Sequence, residues 1–115
     1  MPLVRIDINK SYNSDDSKKI GEIVYKAMEE EINVPKDDKF QIITKHDTSE
    51  LNIPDSYLGI KYTDKIVIIQ ITLNGGRSTE LKQKLYKRIA EDLNKDLNIR
   101  TEDVFISLVE VAKEN

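Results

Sequence analysis

The residue with the most chemical promise is the second. Pro2 follows Met1, so removal of Met1 would leave a secondary amine as the new N-terminus. A free α-amino group has a pKa of about 8, close enough to neutrality for work as a general base or nucleophile. Just behind it, Val4, Ile6 and Ile8 alternate with Arg5 and Asp7. That is the period-two pattern of a half-buried strand, and such a strand would hold inside the fold a terminus that is ordinarily frayed. Other reactive groups are scarce. The chain has no cysteine and one histidine, His46, which leaves out disulfides, a thiolate nucleophile and a histidine cage for a metal within one chain. His46 reads as a surface residue behind a strand. Tyr12, Tyr57 and Tyr62 stand where tyrosines usually pack, with loops as their route to any pocket.

The elements that would position Pro2 follow from the periodicity. Ser14-Asp15-Asp16-Ser17 reads as a helix start, with Ser14 able to cap and two acids at the positive end of the dipole. Ile20, Ile23, Val24, Ala27, Met28 and Ile32 then recur at helical spacing, predicting an amphipathic helix from about residue 15 to residue 32. Pro35 disfavours helical geometry at Val34 and ends it. Residues 39–45 are rich in β-formers and predict a strand, 57–60 a short extended piece, and 65–73 a strand apolar on both faces. Asn74-Gly75-Gly76-Arg77 breaks that strand. Ser78-Thr79-Glu80 opens a second helix along Leu81, Leu85, Ile89, Leu93 and Leu97, and a last strand covers 104–111.

The order is β-α-β twice, and the two halves correspond. Val34 and Ile99, Asp38 and Asp103, Phe40 and Phe105, and Ile43 and Leu108 each lie 65 positions apart. Ser14 and Ser78 open the two helices one position out of that register. An internal duplication is the simplest reading. It predicts one α+β domain over residues 1–115 with halves at about 1–46 and 64–112. Two right-handed β-α-β units give a four-stranded mixed sheet with both helices on one face. The other face would be bare, yet the last strands carry apolar residues on both sides. A second subunit is expected to cover it.

Composition narrows the partners. At 115 residues, 38% hydrophobic and 34% charged, with a net charge of −3 and no basic stripe, the chain reads as an ordinary folded protein that does not bind nucleic acid. It lacks a signal-peptide apolar stretch and any apolar run long enough to span a membrane, so a cytoplasmic location is expected.

Pro2 behind Met1, the joined β-α-β units, Val34-Pro35 ahead of Asp38, and Gly76-Arg77-Ser78 together resemble the tautomerase superfamily. The resemblance is to its malonate semialdehyde decarboxylase-like branch, with the 4-oxalocrotonate tautomerase-like fold. Leu58-Gly59-Ile60, Ile69 to Asn74 and Val104 to Glu110 are similar to members of that branch. The resemblance implies a homotrimer with sites near subunit contacts, no cofactor, and removal of Met1 to make Pro2 the catalytic amine. It implies that Arg77 binds a small carboxylate substrate, and the residue's position agrees. Arg77 lies between a Gly-Gly turn and a helix N-terminus, where free N–H groups and the dipole favour an anion and a guanidinium grips a carboxylate in bidentate fashion. The resemblance further implies that Asp38 hydrogen-bonds or polarises a reactant near the proline. Asn74 is a minor candidate for substrate binding, as a donor to a carbonyl.

Two departures bear on the reaction. The decarboxylase has an Arg-x-Arg pair whose first member falls on Gly75 here. Relatives also continue with a Trp-Ser-Phe-Gly-like tail, which the residues up to Asn115 do not supply. The expected activity is keto-enol tautomerisation of a small 2-oxo or 2-hydroxy-enoate acid with neutral Pro2 as base. The alternatives are decarboxylation or hydration with protonated Pro2 as acid, and a non-catalytic trimeric protein of the same fold.

Overall fold

The computed structural model describes residues 2–115; Met1, and with it the expected processing, lies outside the described residues. The chain runs β1 (Pro2–Asn9), α1 (Ser14–Ile32), β2 (Gln41–His46), a short hairpin of β3 (Ser56–Tyr57) and β4 (Ile60–Lys61), then β5 (Val67–Asn74), α2 (Thr79–Leu97) and β6 (Val104–Val111). The main sheet has the order β2-β1-β5-β6. β1 is parallel to β2, β5 is parallel to β6, and the central pair β1/β5 is antiparallel. Each β-α-β unit therefore supplies one inner and one outer strand, as the duplication predicts. The extended piece expected at 57–60 is the two-strand hairpin.

Alternation along the inner strands sorts the two faces. Val4, Ile6, Ile8, Val67, Ile69, Ile71 and Leu73 are buried in one cluster with Ile20, Val24 and Met28 of α1 and Leu85, Ile89 and Leu93 of α2. Both helices thus lie on one face, and each such side chain contributes about 1.5–3 kcal/mol on leaving water. On the opposite face Ile42 and Phe105 are about two-fifths exposed, and Phe40, just ahead of β2, is 59% exposed. The bare apolar face inferred from the sequence is present.

The helix ends carry the duplication more finely than the sequence pairs did. The cap of α1 is Asn13 rather than Ser14: its side chain accepts from the Asp16 N–H at 2.8 Å. Ser78 caps α2 as expected, accepting from the Leu81 N–H at 3.2 Å. With Asn13 as the first cap, the pair falls into the same 65-position register as the rest. Both helices end on a left-handed asparagine, Asn33 (φ 58°) and Asn98 (φ 57°). The next residues, Val34 and Ile99, return their N–H groups to the carbonyls of Met28 and Leu93, the Schellman pattern with a buried apolar residue behind it. The stop before Pro35 is thus made by Asn33. Arg88 of α2 ties the two helices together through Glu30, Glu31 and Asp92 at 2.6, 3.0 and 2.6 Å.

Candidate active site

Pro2 is buried at the first position of β1. Its partner in the antiparallel ladder is Leu73, so the Asn74–Arg77 turn begins one residue beyond. On the other side, the Val4 N–H donates to the Phe40 carbonyl at 2.9 Å. That bond brings the segment carrying Asp38 alongside the start of β1. The fold thus brings three sequence-predicted residues, Pro2, Asp38 and Arg77, to one end of the sheet.

Arg77 joins the two halves at that end. Its Nε donates to the Ile32 carbonyl at 3.2 Å and its Nη1 to the Asn74 carbonyl at 3.4 Å. The last turn of α1 presents carbonyls without helical partners, and their negative end of the dipole suits a guanidinium. Two of the five guanidinium N–H groups are used this way. The remaining three are the planar fork that suits a carboxylate. Asn74 serves the site through its backbone. By alternation from Leu73, its side chain falls on the open sheet face, level with Val111, while its carbonyl holds Arg77.

Asp38 sits half-buried at the end of a short turn, its N–H donating to the Pro35 carbonyl at 3.2 Å. The buried Tyr25 phenol reaches the same turn from α1. It donates to the Pro35 carbonyl, the same carbonyl that accepts from the Asp38 N–H. Tyr25 therefore fixes the backbone on which Asp38 stands. Sequence reasoning missed it because Tyr25 falls on the apolar stripe of α1 and reads as core. A phenol on that stripe, ten residues before a proline turn, was the available signal, since a buried Tyr O–H usually finds a partner.

The other candidates lie elsewhere. His46 Nε2 is 2.6 Å from Asp7 Oδ1, in the region where β1 ends, opposite to Pro2. Tyr57 and Tyr62 line an apolar cavity of about 170 Å³ with Ile53, Pro54, Ile68 and Phe105. Tyr12, with Thr63, Lys65, Arg100 and Asp103, lines another of about 270 Å³. The last of these is the internal counterpart of the Pro2 region: Tyr12 lies 65 positions before Arg77, and Asp103 lies 65 after Asp38. Its polar groups are spent on one another. Asp103 is fully buried and accepts from Thr63 N–H at 2.8 Å, Thr63 Oγ1 at 2.5 Å and Arg100 Nη1 at 3.3 Å. The Tyr12 hydroxyl donates to the Lys65 carbonyl at 2.5 Å.

Comparison with known proteins agrees with the resemblance. Residues 38–115 match a family model described as tautomerase enzyme. The chain is 39% identical over 108 residues to the probable tautomerase YusQ of Bacillus subtilis (strain 168), covering 94% of this chain and 85% of that protein. It is 32% identical over 110 residues to the probable tautomerase YrdN of the same organism, covering 96% and 84%. Among solved structures it is similar to FG41 malonate semialdehyde decarboxylase inhibited by 3-bromopropiolate, with a TM-score of 0.89, 34% identity, and 96% of this chain and 83% of that one covered. A fused 4-OT, a symmetric trimer, shares the fold at a TM-score of 0.82 and 16% identity, with 98% and 88% covered. The chain belongs to the tautomerase family and is an enzyme of the isomerase kind.

Proposed function

We propose that this tautomerase-family chain ketonises a small 2-hydroxy-enoate acid, with the Pro2 amine as general base after loss of Met1. The observation that carries the reading is Arg77, braced between the end of α1 and the turn beyond Leu73, the residue paired with Pro2. The guanidinium holds the substrate carboxylate and stabilises the enolate charge that develops during proton transfer. The enol O–H gives its proton to the neutral Pro2 nitrogen, the double bond shifts to form the carbonyl, and the prolinium returns a proton to C3. The amine is restored. Burial at the start of β1 and the nearby Arg77 cation both disfavour prolinium and lower its pKa from about 8, leaving Pro2 mostly a base at pH 7. Asp38, on a turn fixed by Tyr25, polarises the reactant from the other side of the amine.

The bare sheet face supports a homotrimer, in which Phe40, Ile42 and Phe105 meet neighbouring copies, and the chain then acts as one domain of two β-α-β halves. The test is ketonisation of phenylenolpyruvate by protein whose first residue is Pro2 by mass spectrometry. Pro2→Ala and protein retaining Met1, whose Pro2 nitrogen is a non-basic tertiary amide, are expected to lose about 10²–10⁴-fold in rate. Full activity in either sinks the proposal.

The 34% identity to a malonate semialdehyde decarboxylase favours a second reading, decarboxylation or hydration of a 3-oxo or unsaturated acid with Pro2 kept protonated as the acid. NMR titration of the Pro2 nitrogen separates the two, since a pKa below neutrality means base and one well above it means acid.

A further inference from the structure

One charged pair near the site has no part in the chemistry described so far. Glu110, near the end of β6, lies level with Leu73 in the parallel β5/β6 ladder, and Leu73 is the partner of Pro2. The row across the sheet is therefore Pro2, Leu73, Glu110. The Glu110 Oε1 is 2.6 Å from Lys82 Nζ of α2, whose side chain is 21% exposed. The nearby Gly76 backbone N–H and the Arg77 charge both favour the ionised form of the same carboxylate. The preceding glycine is tied to the same strand end: Gly75 N–H donates to the Val111 carbonyl at 3.0 Å. A side-chain carbon built on Gly75 would meet Glu110 Oε2 at 3.5 Å, so the carboxylate packs directly over the turn. Gly76 has φ +120°, a conformation that side-chain-bearing residues rarely adopt. Without contacts from β6 such a turn has many alternatives.

We infer that Glu110 is a positioning residue for Arg77, a carboxylate held by Lys82 that anchors the Gly75–Gly76 turn and so sets where the guanidinium meets a substrate carboxylate. The inference rests on the reading that Arg77 takes that carboxylate. Displacement of a binding group by about 1 Å can cost about 10²-fold. Removing one of several anchors is expected to cost about tenfold, in substrate binding rather than in proton transfer, because Pro2 is held by a different strand pair.

The test is steady-state kinetics of the trimeric, Pro2-processed protein on an enol acid and on its methyl ester. Glu110→Ala should raise KM for the acid about tenfold, leave kcat within about threefold, and leave KM for the ester unchanged. Glu110→Gln keeps an oxygen packed over the Gly75–Gly76 turn and should return KM for the acid to within about threefold of the parent. Lys82→Met, which keeps the stem and removes the ammonium, should raise KM for the acid in the same direction by a smaller factor and decides the matter if Glu110→Ala does not fold. Unchanged KM for the acid in the folded variants overturns the inference, as do equal losses on acid and ester. Arg77→Ala run alongside separates the failures. If it leaves KM for the acid unchanged, the reading of Arg77 is wrong; if it raises KM while the Glu110 and Lys82 variants do not, only the positioning role is wrong.

Discussion

Replacing Arg77 with alanine removes two things at once, and their sizes differ enough to be told apart. The structural part is the pair of hydrogen bonds to the Ile32 and Asn74 carbonyls at 3.2 and 3.4 Å. One has ordinary length and the other is at the long limit. With a charged donor they are together worth about 1–2 kcal/mol net. At about 2.1 cal/mol/K per residue, unfolding a chain of this length carries an entropy of about 0.24 kcal/mol/K, so Tm should fall by about 4–8 °C. The catalytic part is the loss of a bidentate partner for the substrate carboxylate, two charge-assisted bonds that should cost about 3–4 kcal/mol of transition-state binding. At about 1.4 kcal/mol per decade this is roughly 140- to 700-fold in kcat/KM. Arg77→Lys keeps the charge, but one ammonium cannot reach both carbonyls and a carboxylate together, and a loss of about tenfold is expected. The assay is ketonisation of phenylenolpyruvate followed by ultraviolet absorbance, with thermal unfolding measured on the same samples and protein concentration held fixed. A kcat/KM for Arg77→Ala within threefold of the parent, accompanied by the expected fall in Tm, would refute the reasoning: Arg77 would then be a brace between the halves and nothing more.

Other expectations are smaller in scope. Tyr25→Phe removes the hydroxyl that donates to the Pro35 carbonyl at the turn before Asp38; stability should fall by about 1–2 kcal/mol and kcat by several-fold, read from urea unfolding and initial rates. Asp103→Ala leaves Thr63 and Arg100 without their buried partner and should cost about 3 kcal/mol, lowering Tm by about 12 °C while kcat per folded chain stays at the parent value. Lys82 holds the Glu110 carboxyl below the usual carboxylate range, assisted by the Gly76 N–H and Arg77. Its folded-state pKa lies under its unfolded value, so its stabilisation is present above the unfolded value and lost as pH falls through the folded one. The Tm difference between the parent and Glu110→Gln should therefore be largest at neutral pH and close on acidification below about pH 4.5, as measured by thermal scans across pH.

The sequence carried the architecture because its signals were local and repeated. The four-residue recurrence from Leu81 to Leu93 could only be one face of a helix, and apolar residues on both parities of β6 foretold the bare sheet face. The 65-position correspondence supplied the topology that neither half would have shown alone. Within the candidate site, Pro2 and Arg77 could be nominated from the sequence because the chemistry proposed for them depends on neighbours in the chain, an adjacent Met1 and an adjacent Gly-Gly turn. Glu110 and Lys82 were not. Their meeting with the Gly76 turn depends on the register of β5 against β6 and on the rotation of α2, neither of which leaves a mark on nearby residues. Asn13 was passed over as a cap because Ser14 is an equally good capping type, and only the backbone geometry chooses between them. Tyr25 was hidden by its own hydrophobicity.

The unequal fates of the two halves set the stoichiometry of the enzyme. In the second half the position corresponding to Pro2 is Val67, whose nitrogen is an ordinary peptide amide inside the chain and can never be freed by trimming a terminus. In the cavity of that half, Asp103, Thr63 and Tyr12 bond to one another or to the backbone. On the reading that Pro2 is the catalytic amine, a duplicated fold that looks two-fold in outline offers one such amine per polypeptide. A reagent that alkylates that amine should saturate at a single equivalent per chain, and a trimer should count three working centres against six β-α-β units.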